Sequence, residues 1–342
     1  MDTLTLDSAE QKALRTATRD RCVLCGSSGD VLHADVPDYY FQVPGRWTLR
    51  QCSDDRCRLI WQDPMVVSED LVKAYATYYT TGASRTDDKS QARRGSSRSF
   101  FYFLDRLLTR FLGLGPERAR HAVAYLDDCR GGKLLDVGCG SGAFAASMQK
   151  NGWAVRGTEF DPSAAAHAAR LHDIPVDVGE LRDLRYEDES FDAVTARHVV
   201  EHVRDPLAFL VECMRILKPG GRLVFITPNL GSCGHGHFGQ RWRGLEQPRH
   251  LFLFDAVSMR ALFGRAGVNA FCVFATAQGT SYVLRASFET GKGFVRRCVD
   301  YASIWWLQMY ETVLTRRGRP VGEELVAIAC KPVIDSRERI VS

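Results

Sequence analysis

The sequence of 342 residues predicts an α/β protein, in which a parallel sheet carries helices on both faces and a small module precedes it. Three observations support this prediction. From about residue 132 onward, short apolar segments alternate with amphipathic ones, which is typical of strands joined by crossover helices. Hydrophobic residues make up 45% of the chain, enough for a sizeable core, and the length favours two domains. Four cysteines lie close together near the start.

The N-terminal cysteines form two closely spaced pairs. Two residues separate Cys22 from Cys25, four separate Cys52 from Cys57, and 26 lie between the pairs. Thiolate pairs presented by two turns make a tetrahedral zinc site, and four cysteine ligands indicate a structural ion rather than a catalytic one. The second pair is looser than the usual two-residue spacing. Four unrelated buried cysteines are the alternative.

The next segment is predicted to be helical with an irregular centre. A helix is expected from Ser68 to Ala83, and the small, polar and charged residues 80–97 favour a linker or lid. Apolar residues in 100–111 fall on one helical stripe. A further helix is expected from Pro116 to about Cys129, because proline is favoured in the first helical turn.

The alternating pattern then gives the order of the sheet elements. Strands are expected at residues 134–137, 154–158, 191–196, 222–227 and 271–275. Helices are expected at residues 143–150, 162–171 and 206–217. Ligands of such sheets bind outside the carboxyl ends of the strands, so the turns that follow the strands are the expected site.

A glycine-rich turn follows the first of these strands. Gly138, Gly140 and Gly142 permit left-handed backbone and close approach of a ligand. Glu159 ends the next strand about 20 residues on, where a carboxylate can accept hydrogen bonds from ribose hydroxyls. The spacing is G-x-G-x-G and not the dinucleotide G-x-G-x-x-G, and no pyrophosphate cradle is evident. The turn and Glu159 together indicate an adenosyl ligand without separating a nicotinamide cofactor from others, and a purely structural strand-to-helix turn is the alternative.

Several segments together resemble the class I S-adenosylmethionine-dependent methyltransferases, in family order and spacing. They are LLDVGCGSGAF (134–144), GTEFDPSA (157–164), VGELRDL (178–184), FDAVTARHVVEHVRDP (191–206), LKPGGRLVFITPN (217–229) and PRHLFLF (248–254). The resemblance implies a seven-stranded Rossmann-like sheet whose last strand, about 324–331, is antiparallel. It also implies that the chain is an enzyme with S-adenosyl-L-methionine as its cofactor.

The resemblance assigns cofactor-binding positions on the turns. Those around the methionine part are Asp136, Gly138, Gly140 and Gly142. Glu159 is assigned to the ribose and Phe160 to stacking beside adenine. Glu180, after the third strand, is assigned to contact with the adenine region. Those that border the sulfonium are Arg197 and His198.

Histidines near the strand ends are the catalytic candidates, and a hydrogen-bonded structural role is the alternative for each of them. His250, His198 and His202 are expected near the acceptor, and His250 is favoured as the base because a near-neutral pKa lets it take a hydroxyl proton. The sequence H-x-x-E-H at 198–202 matches a zinc-protease pattern, but it follows a strand rather than lying on a helix. It also resembles the metal motif of some O- and RNA methyltransferases, so a metal on Glu201, His202 and His250 stays open beside a structural role for Glu201.

The C-terminal part adds an aromatic helix. Residues 288–315 are expected to be helical and to cover the sheet edge and acceptor pocket, with peripheral membrane contact as the alternative because Arg316, Arg317 and Arg319 follow. The longest uncharged stretch, 266–284, is too polar to span a membrane. The expected organisation is a zinc-ribbon-like module (1–66), a helical linker or lid region (67–130) and a methyltransferase domain (131–334) with an insertion at about 285–318.

The predicted function is O-methylation of a small or carrier-linked acceptor such as a sugar or polyol. Methylation of RNA through the ribbon, and a non-enzymatic cofactor-binding scaffold, are the alternatives. A formal net charge of +4 argues against nucleic acid as a partner. The start shows no basic and apolar signal segment, so a cytoplasmic location is expected, and it favours metal over disulfides for the cysteines.

Overall fold

A seven-stranded sheet flanked by helices organises most of the chain. The computed structural model describes residues 14–75, 113–288 and 294–333. The strands are β1 Thr16–Ala17, β2 Gly29–Pro37, β3 Arg46–Cys52, β4 Ile60–Gln62, β5 Met65–Val66, β6 Lys133–Val137, β7 Ala154–Glu159, β8 Val176–Val178, β9 Phe191–Arg197, β10 Leu217–Pro228, β11 Phe252–Leu253, β12 Phe271–Thr276 and β13 Glu324–Cys330. The α-helices are α1 Ser68–Ala74, α2 Gly115–Ala122, α3 Ala143–Lys150, α4 Pro162–His172, α5 Pro206–Ile216, α6 Cys233–Phe238, α7 Ala256–Arg265, α8 Thr280–Ser287 and α9 Phe294–Arg316.

The large sheet has the strand order β12-β13-β10-β9-β6-β7-β8, and β13 runs antiparallel to both of its neighbours. This confirms the predicted α/β class and the antiparallel last strand. Side chains that alternate along β10 feed two apolar cores, with Leu223 and Phe225 on one face and Val224 and Ile226 on the other. Helices cover both faces, so the central strands β6, β9, β10 and β13 are largely buried, whereas the edge strands β8 and β12 are partly exposed.

Helix starts follow local chemistry, which is why the sequence predicted them. Asp161 accepts a hydrogen bond from the Ser163 amide at 2.8 Å, and Asp205 accepts one from the Ala208 amide at 2.9 Å. A proline follows each of these caps, where its missing N–H costs nothing. The predicted bounds of α3 are met, and those of α4 and α5 differ by a single residue at the end.

The expectation for the helix from Pro116 is wrong at its end. Helix α2 stops at Ala122, because Ala124 and Tyr125 adopt left-handed φ angles of 49° and 54°. Tyr125 is fully buried there, and its hydroxyl donates to Glu117 at 2.7 Å. Helix α1 follows the predicted start at Ser68. The predicted remainder of that helix beyond residue 75, the linker at 80–97 and the stripe at 100–111 lie outside the described residues.

The N-terminal cysteine module shares a sheet with the later part of the chain. Its strands β2, β3 and β4 continue into β11, where Phe252 pairs with Trp61. The module expected at 1–66 therefore contributes three of the four strands in this sheet, and the predicted domain boundaries remain a prediction.

The helix expected at 288–315 corresponds to α9, which the structure describes from Phe294 to Arg316, and a shorter helix, α8, precedes it. Helix α9 packs against α8, α6 and the edge strand β12, so it covers the sheet edge as expected. Within the described residues, no helix is both long and apolar enough to span a bilayer.

Candidate active site

A cleft of about 360 Å³ opens at the carboxyl ends of the parallel strands. It brings together seven of the predicted site residues: Gly138, Gly140, Glu159, Phe160, His198, His202 and His250. A larger, shallow depression of about 610 Å³ lies at the opposite end of the sheet, lined by Lys133 and Arg156, and contains none of them. The cleft is therefore the candidate site.

The glycine turn shapes one wall of the cleft. Gly140 has a φ of 52°, and a Cβ there would meet no atom within 4 Å, so its open side leaves room for a ligand against the backbone. Gly138 has a φ of 65°, and a Cβ there would lie 2.6 Å from a methyl of Val199. Gly140 thus leaves space beside the backbone, and Gly138 lets the turn pack closely against Val199, which follows β9.

Glu159 presents a carboxylate to the same wall. Its oxygens accept backbone hydrogen bonds from Gly140 at 3.0 Å, Phe160 at 3.0 Å and Asp161 at 3.3 Å. Burial raises the pKa of Glu159, and these three donors oppose that rise. A carboxylate has about four lone-pair positions, so it retains capacity for a ribose hydroxyl. This cradle fits an adenosyl cofactor.

Two aromatic rings stand beside this carboxylate. Phe160 is 39% exposed, and its ring contacts that of Tyr75 edge to face with centroids 5.2 Å apart. An apolar ring so exposed at a cleft provides a flat surface for a planar ligand. Tyr75 comes from the end of the N-terminal segment, and the sequence did not single it out.

Four predicted cofactor residues do not line the cleft. Asp136 is buried under it, where burial raises its pKa to about 7 and the Thr195 hydroxyl donates to it at 2.9 Å. Gly142 starts α3 and faces α4, Glu180 is exposed, and the Arg197 guanidinium lies 4.6 Å from the Phe144 ring centroid. Their direct contact with the cofactor remains a prediction.

His198 directly follows the last residue of β9 and lies between two carboxylates. Its Nε2 lies 3.1 Å from Glu324 Oε1, and its Nδ1 lies 3.5 Å from Glu201 Oε1. Burial alone lowers the pKa of His198, but these two carboxylates outweigh it and raise that pKa to about 10. His198 is therefore protonated at neutral pH, so it cannot act as the base that removes an acceptor proton.

The other two histidines each place Nδ1 against a backbone carbonyl. His250 is 4% exposed and its Nδ1 lies 2.7 Å from the Gly244 carbonyl, while burial lowers its pKa well below the ordinary value. Burial thus makes His250 a weaker base than a near-neutral histidine would be, and its catalytic role remains a prediction. His202 has its Nδ1 at 3.0 Å from the Arg249 carbonyl and 2.8 Å from the Tyr75 hydroxyl. Because a carbonyl only accepts, each Nδ1 carries the proton and each Nε2 keeps the lone pair.

Glu201, His202 and His250 each offer one ligand atom within 4.8 Å of the others. Nitrogen and carboxylate donors in this number suit a divalent cation such as zinc. Glu201 is also tied into the protein, because its Oε2 accepts from Thr227 at 2.9 Å and hydrogen bonding with His198 lowers its pKa in spite of burial. The donor set fits a metal, and its use remains open to test.

Buried charges form the opposite wall, which sequence reasoning missed. Arg243 and Glu246 both line the cleft and pair with each other. Arg249, fully buried, lies 3.2 Å from Glu246 and 2.9 Å from Asp38 of the N-terminal segment. The Arg243 guanidinium also lies 4.7 Å from the Tyr40 ring centroid. Residues of the N-terminal segment thus hold this wall in place.

Glu324 is a further cleft residue that the sequence analysis did not predict. It lines the cleft and accepts from His121 at 2.8 Å as well as contacting His198. The sequence did allow this position to be predicted. In a sheet of otherwise parallel strands, the first residue of an antiparallel strand lies at the same edge as the last residues of the parallel strands. Glu324 indeed pairs with Pro228 at the end of β10.

The four predicted zinc ligands also come together, away from the cleft. The Sγ atoms of Cys22 and Cys57 are 3.6 Å apart, those of Cys25 and Cys52 are 3.3 Å apart, and all four lie within 4.8 Å of one another. Gly26, with a φ of 76°, turns the chain after the first pair. Four converging sulfurs fit tetrahedral zinc.

Fold and cleft together define an α/β protein that binds a nucleoside-type cofactor at the carboxyl edge of its sheet. Residues 98–273, half of the chain, match the family described as "Methyltransferase domain". The chain therefore belongs to this family of methyltransferase domains.

Curated relatives match about a third of the chain. The ubiquinone biosynthesis O-methyltransferase of Xanthomonas oryzae pv. oryzae is 42% identical over 123 residues, which are 34% of this chain and 51% of that protein. That of Alkalilimnicola ehrlichii is 37% identical over 123 residues, 34% of this chain and 49% of that protein. The chain thus spans about half the length of these relatives.

Solved structures share the architecture at low identity. Haemonchus contortus phosphoethanolamine N-methyltransferase 2 is 16% identical with a TM-score of 0.48, and covers 80% of this chain and 63% of its own. A SAM-dependent methyltransferase from Archaeoglobus fulgidus is 18% identical with a TM-score of 0.44, and covers 67% of this chain and 99% of its own.

Proposed function

We propose that the chain transfers the methyl group of S-adenosylmethionine to the hydroxyl of a small aromatic acceptor bound in the cleft. The observation that supports this most is the presence of His202, with its Nδ1 on the Arg249 carbonyl, in the same cleft as the Gly140–Glu159 cradle. An imidazole of pKa about 6.5 is a sufficient base for a phenol of pKa about 10, as in tyrosine, whereas an aliphatic hydroxyl is a far weaker acid. The names of the relatives also point to O-methylation.

Each part of the cleft has a role in this proposal. Bound S-adenosylmethionine supplies a methyl carbon that is activated by its positive sulfur. Glu159 holds the ribose, the ring of Phe160 lies against adenine, and His202 Nε2 takes the acceptor proton as the oxygen–carbon bond forms and the carbon–sulfur bond breaks. The wall that carries Arg243 and Glu246 excludes water and orients the acceptor.

The N-terminal module supports a small-molecule acceptor over RNA. Its Asp38 and Tyr40 contact Arg249 and Arg243, so the module is used to build the acceptor wall. The sugar or polyol acceptor expected from the sequence remains a second hypothesis, and no curated relative reported above bears such a name. A zinc ion on the four cysteines and a cytoplasmic location are part of the proposal.

Methyl transfer from labelled S-adenosylmethionine tests the proposal. Purified protein should label catechol-type phenols, and not nucleotide sugars, polyols or total RNA. Labelling of sugars alone would support the second hypothesis, and labelling of RNA would contradict both. Dialysis against a chelator that leaves the cysteine-bound zinc in place should preserve turnover. Loss of turnover with recovery on added divalent metal would instead assign a metal to Glu201, His202 and His250.

A further inference from the structure

Helix α9 buries both polar and apolar side chains against the protein and leaves a group of large apolar side chains exposed. Between residues 302 and 315 the buried polar side chains are Gln308, Glu311 and Thr312. The exposed large apolar side chains are Trp306 (56% exposed), Met309 (39%), Tyr310 (44%) and Val313 (41%). The usual surface helix has the reverse arrangement. Burial of Ile304 and Leu307 alone therefore does not account for the orientation of this helix.

Hydrogen bonds to α8 hold α9 in this orientation. The Thr280 hydroxyl donates to Glu311 at 2.5 Å, and the Ser281 hydroxyl donates to Gln308 at 3.0 Å. Ile304 and Leu307 add apolar contact with the same helix. Turning α9 to hide its apolar side would break these buried hydrogen bonds and leave a buried carboxylate without its donor. The hydrogen bonds to α8 therefore keep the apolar side chains of α9 exposed.

The outward residues form one continuous surface, which we call the aromatic face: Trp306, Met309, Tyr310 and Val313. Their spacing of three and four places them on one side of the helix. The Trp306 and Tyr310 rings stack with centroids 5.2 Å apart and 6° between their planes. Tryptophan and tyrosine are the residues that favour the boundary between water and lipid.

The aromatic face is bordered by positive charge. Arg316, Arg317 and Arg319 follow it directly, and all three are exposed. From residue 302 to 320 the one acidic residue is Glu311, which is buried. An apolar aromatic stripe with a basic end and no exposed acid complements a surface that is apolar inside and negatively charged outside.

We propose that the aromatic face docks the protein on the surface of an anionic lipid bilayer. The inference goes beyond the proposed methyl transfer and does not depend on which hydroxyl is methylated. Four exposed side chains are few for a second protein copy, since stable protein interfaces use about 20–30 residues on each side. Tyr282, on α8, is exposed and lines the cleft, so docking would bring the mouth of the cleft near the lipid.

Co-sedimentation of the full-length protein with vesicles tests the proposal. Binding should be at least about 10-fold tighter to phosphatidylcholine vesicles that contain phosphatidylglycerol than to phosphatidylcholine alone. The double variant Trp306→Ser/Tyr310→Ser should lose at least about 10-fold in binding, and Arg317→Ser/Arg319→Ser should lose the preference for the anionic lipid. Leu171→Ser, at an equally exposed apolar residue on α4, is the control and should bind like the wild type.

Three results would overturn the proposal. One is equal or absent binding to both kinds of vesicle. Another is a dimer in sedimentation velocity that the double variant dissociates, which would assign the aromatic face to a second copy. The third is a large fall in the Tm of the double variant without vesicle binding, which would mean that the chain itself covers the face. Cofactor binding measured on the same preparations shows that each variant is folded and keeps a failure of the methyl-transfer proposal separate.

Discussion

His202 is the residue on which the proposed chemistry depends most. Its Nδ1 is held by the Arg249 carbonyl and the Tyr75 hydroxyl, so the ring is fixed and Nε2 is the basic atom. We predict that His202→Ala lowers kcat by roughly 10²–10⁴-fold while the Kd of S-adenosylmethionine stays unchanged, because the proton is taken only in the transition state. Steady-state kinetics and calorimetry measure the two effects. His250→Ala is the matched variant, and a larger loss there would show that the base predicted from the sequence is the correct one.

His198 gives a pH dependence of stability. Its folded pKa of about 10 is above the ordinary value of about 6.5, so the protonated ring stabilises the fold fully below about pH 6.5 and ever less as pH rises toward 10. We predict that the free energy of unfolding lost in His198→Gln is larger at pH 6.5 than at pH 9.5, in urea titrations. His172→Gln serves as the control. A loss that is the same at both pH values would contradict the charged pair of His198 with Glu324.

The four-stranded N-terminal sheet and its link to the cleft give a prediction about stability. Asp38 and Arg249 form an ion pair in which both side chains are 0% exposed. Asp38→Ala leaves a buried guanidinium with one partner fewer, so we expect a loss of about 3–5 kcal/mol in denaturant unfolding and a higher KM for the acceptor. Asp35→Ala breaks an exposed pair with Arg46, at 68% and 59% exposure, and should cost no more than about 1 kcal/mol. Equal losses would show that the buried link does not hold the wall.

The turns that carry the cysteines give a prediction about metal. We expect one zinc per chain in protein purified without chelator, and none in Cys25→Ser, because loss of one thiolate opens the tetrahedral site. The variant should also unfold at a lower temperature, since metal affinity is coupled to folding. Cys272→Ser, an exposed cysteine outside the cluster, is the control. Elemental analysis that finds no zinc in the wild type would contradict the site.

The strands and helices were predictable where local chemistry decides them. Caps such as Asp161 and Asp205, with a proline after each, and the glycine turn before α3 are written in a few adjacent residues. The end of α2 was not, because the left-handed backbone at Ala124 and Tyr125 is set by burial of the tyrosine and not by helix propensity. Tertiary packing overrides a local preference there.

The residues of the cleft also differ in how far the sequence predicts them. Gly140 and Glu159 belong to one strand-to-helix unit and the strand beside it, so a short motif predicts them. Arg243, Glu246 and Glu324 reach the cleft only because segments distant in sequence fold against the sheet edge. The raised pKa of His198 could be predicted only in part, since Glu201 lies three residues away in the same motif but Glu324, which also raises that pKa, lies 126 residues away in the chain.

At the scale of the whole molecule, we expect one cleft at the sheet edge to bind S-adenosylmethionine through Glu159. Titration calorimetry with S-adenosylmethionine tests this most directly. We predict one site per chain in the wild type and a Kd raised about 10–100-fold in Glu159→Ala, the loss expected when a charged hydrogen-bond acceptor is removed. Glu187→Ala, at an exposed position by the distal depression, should leave the Kd within about twofold. Absence of binding by the folded wild type, or equal affinity of wild type and Glu159→Ala, would contradict the account.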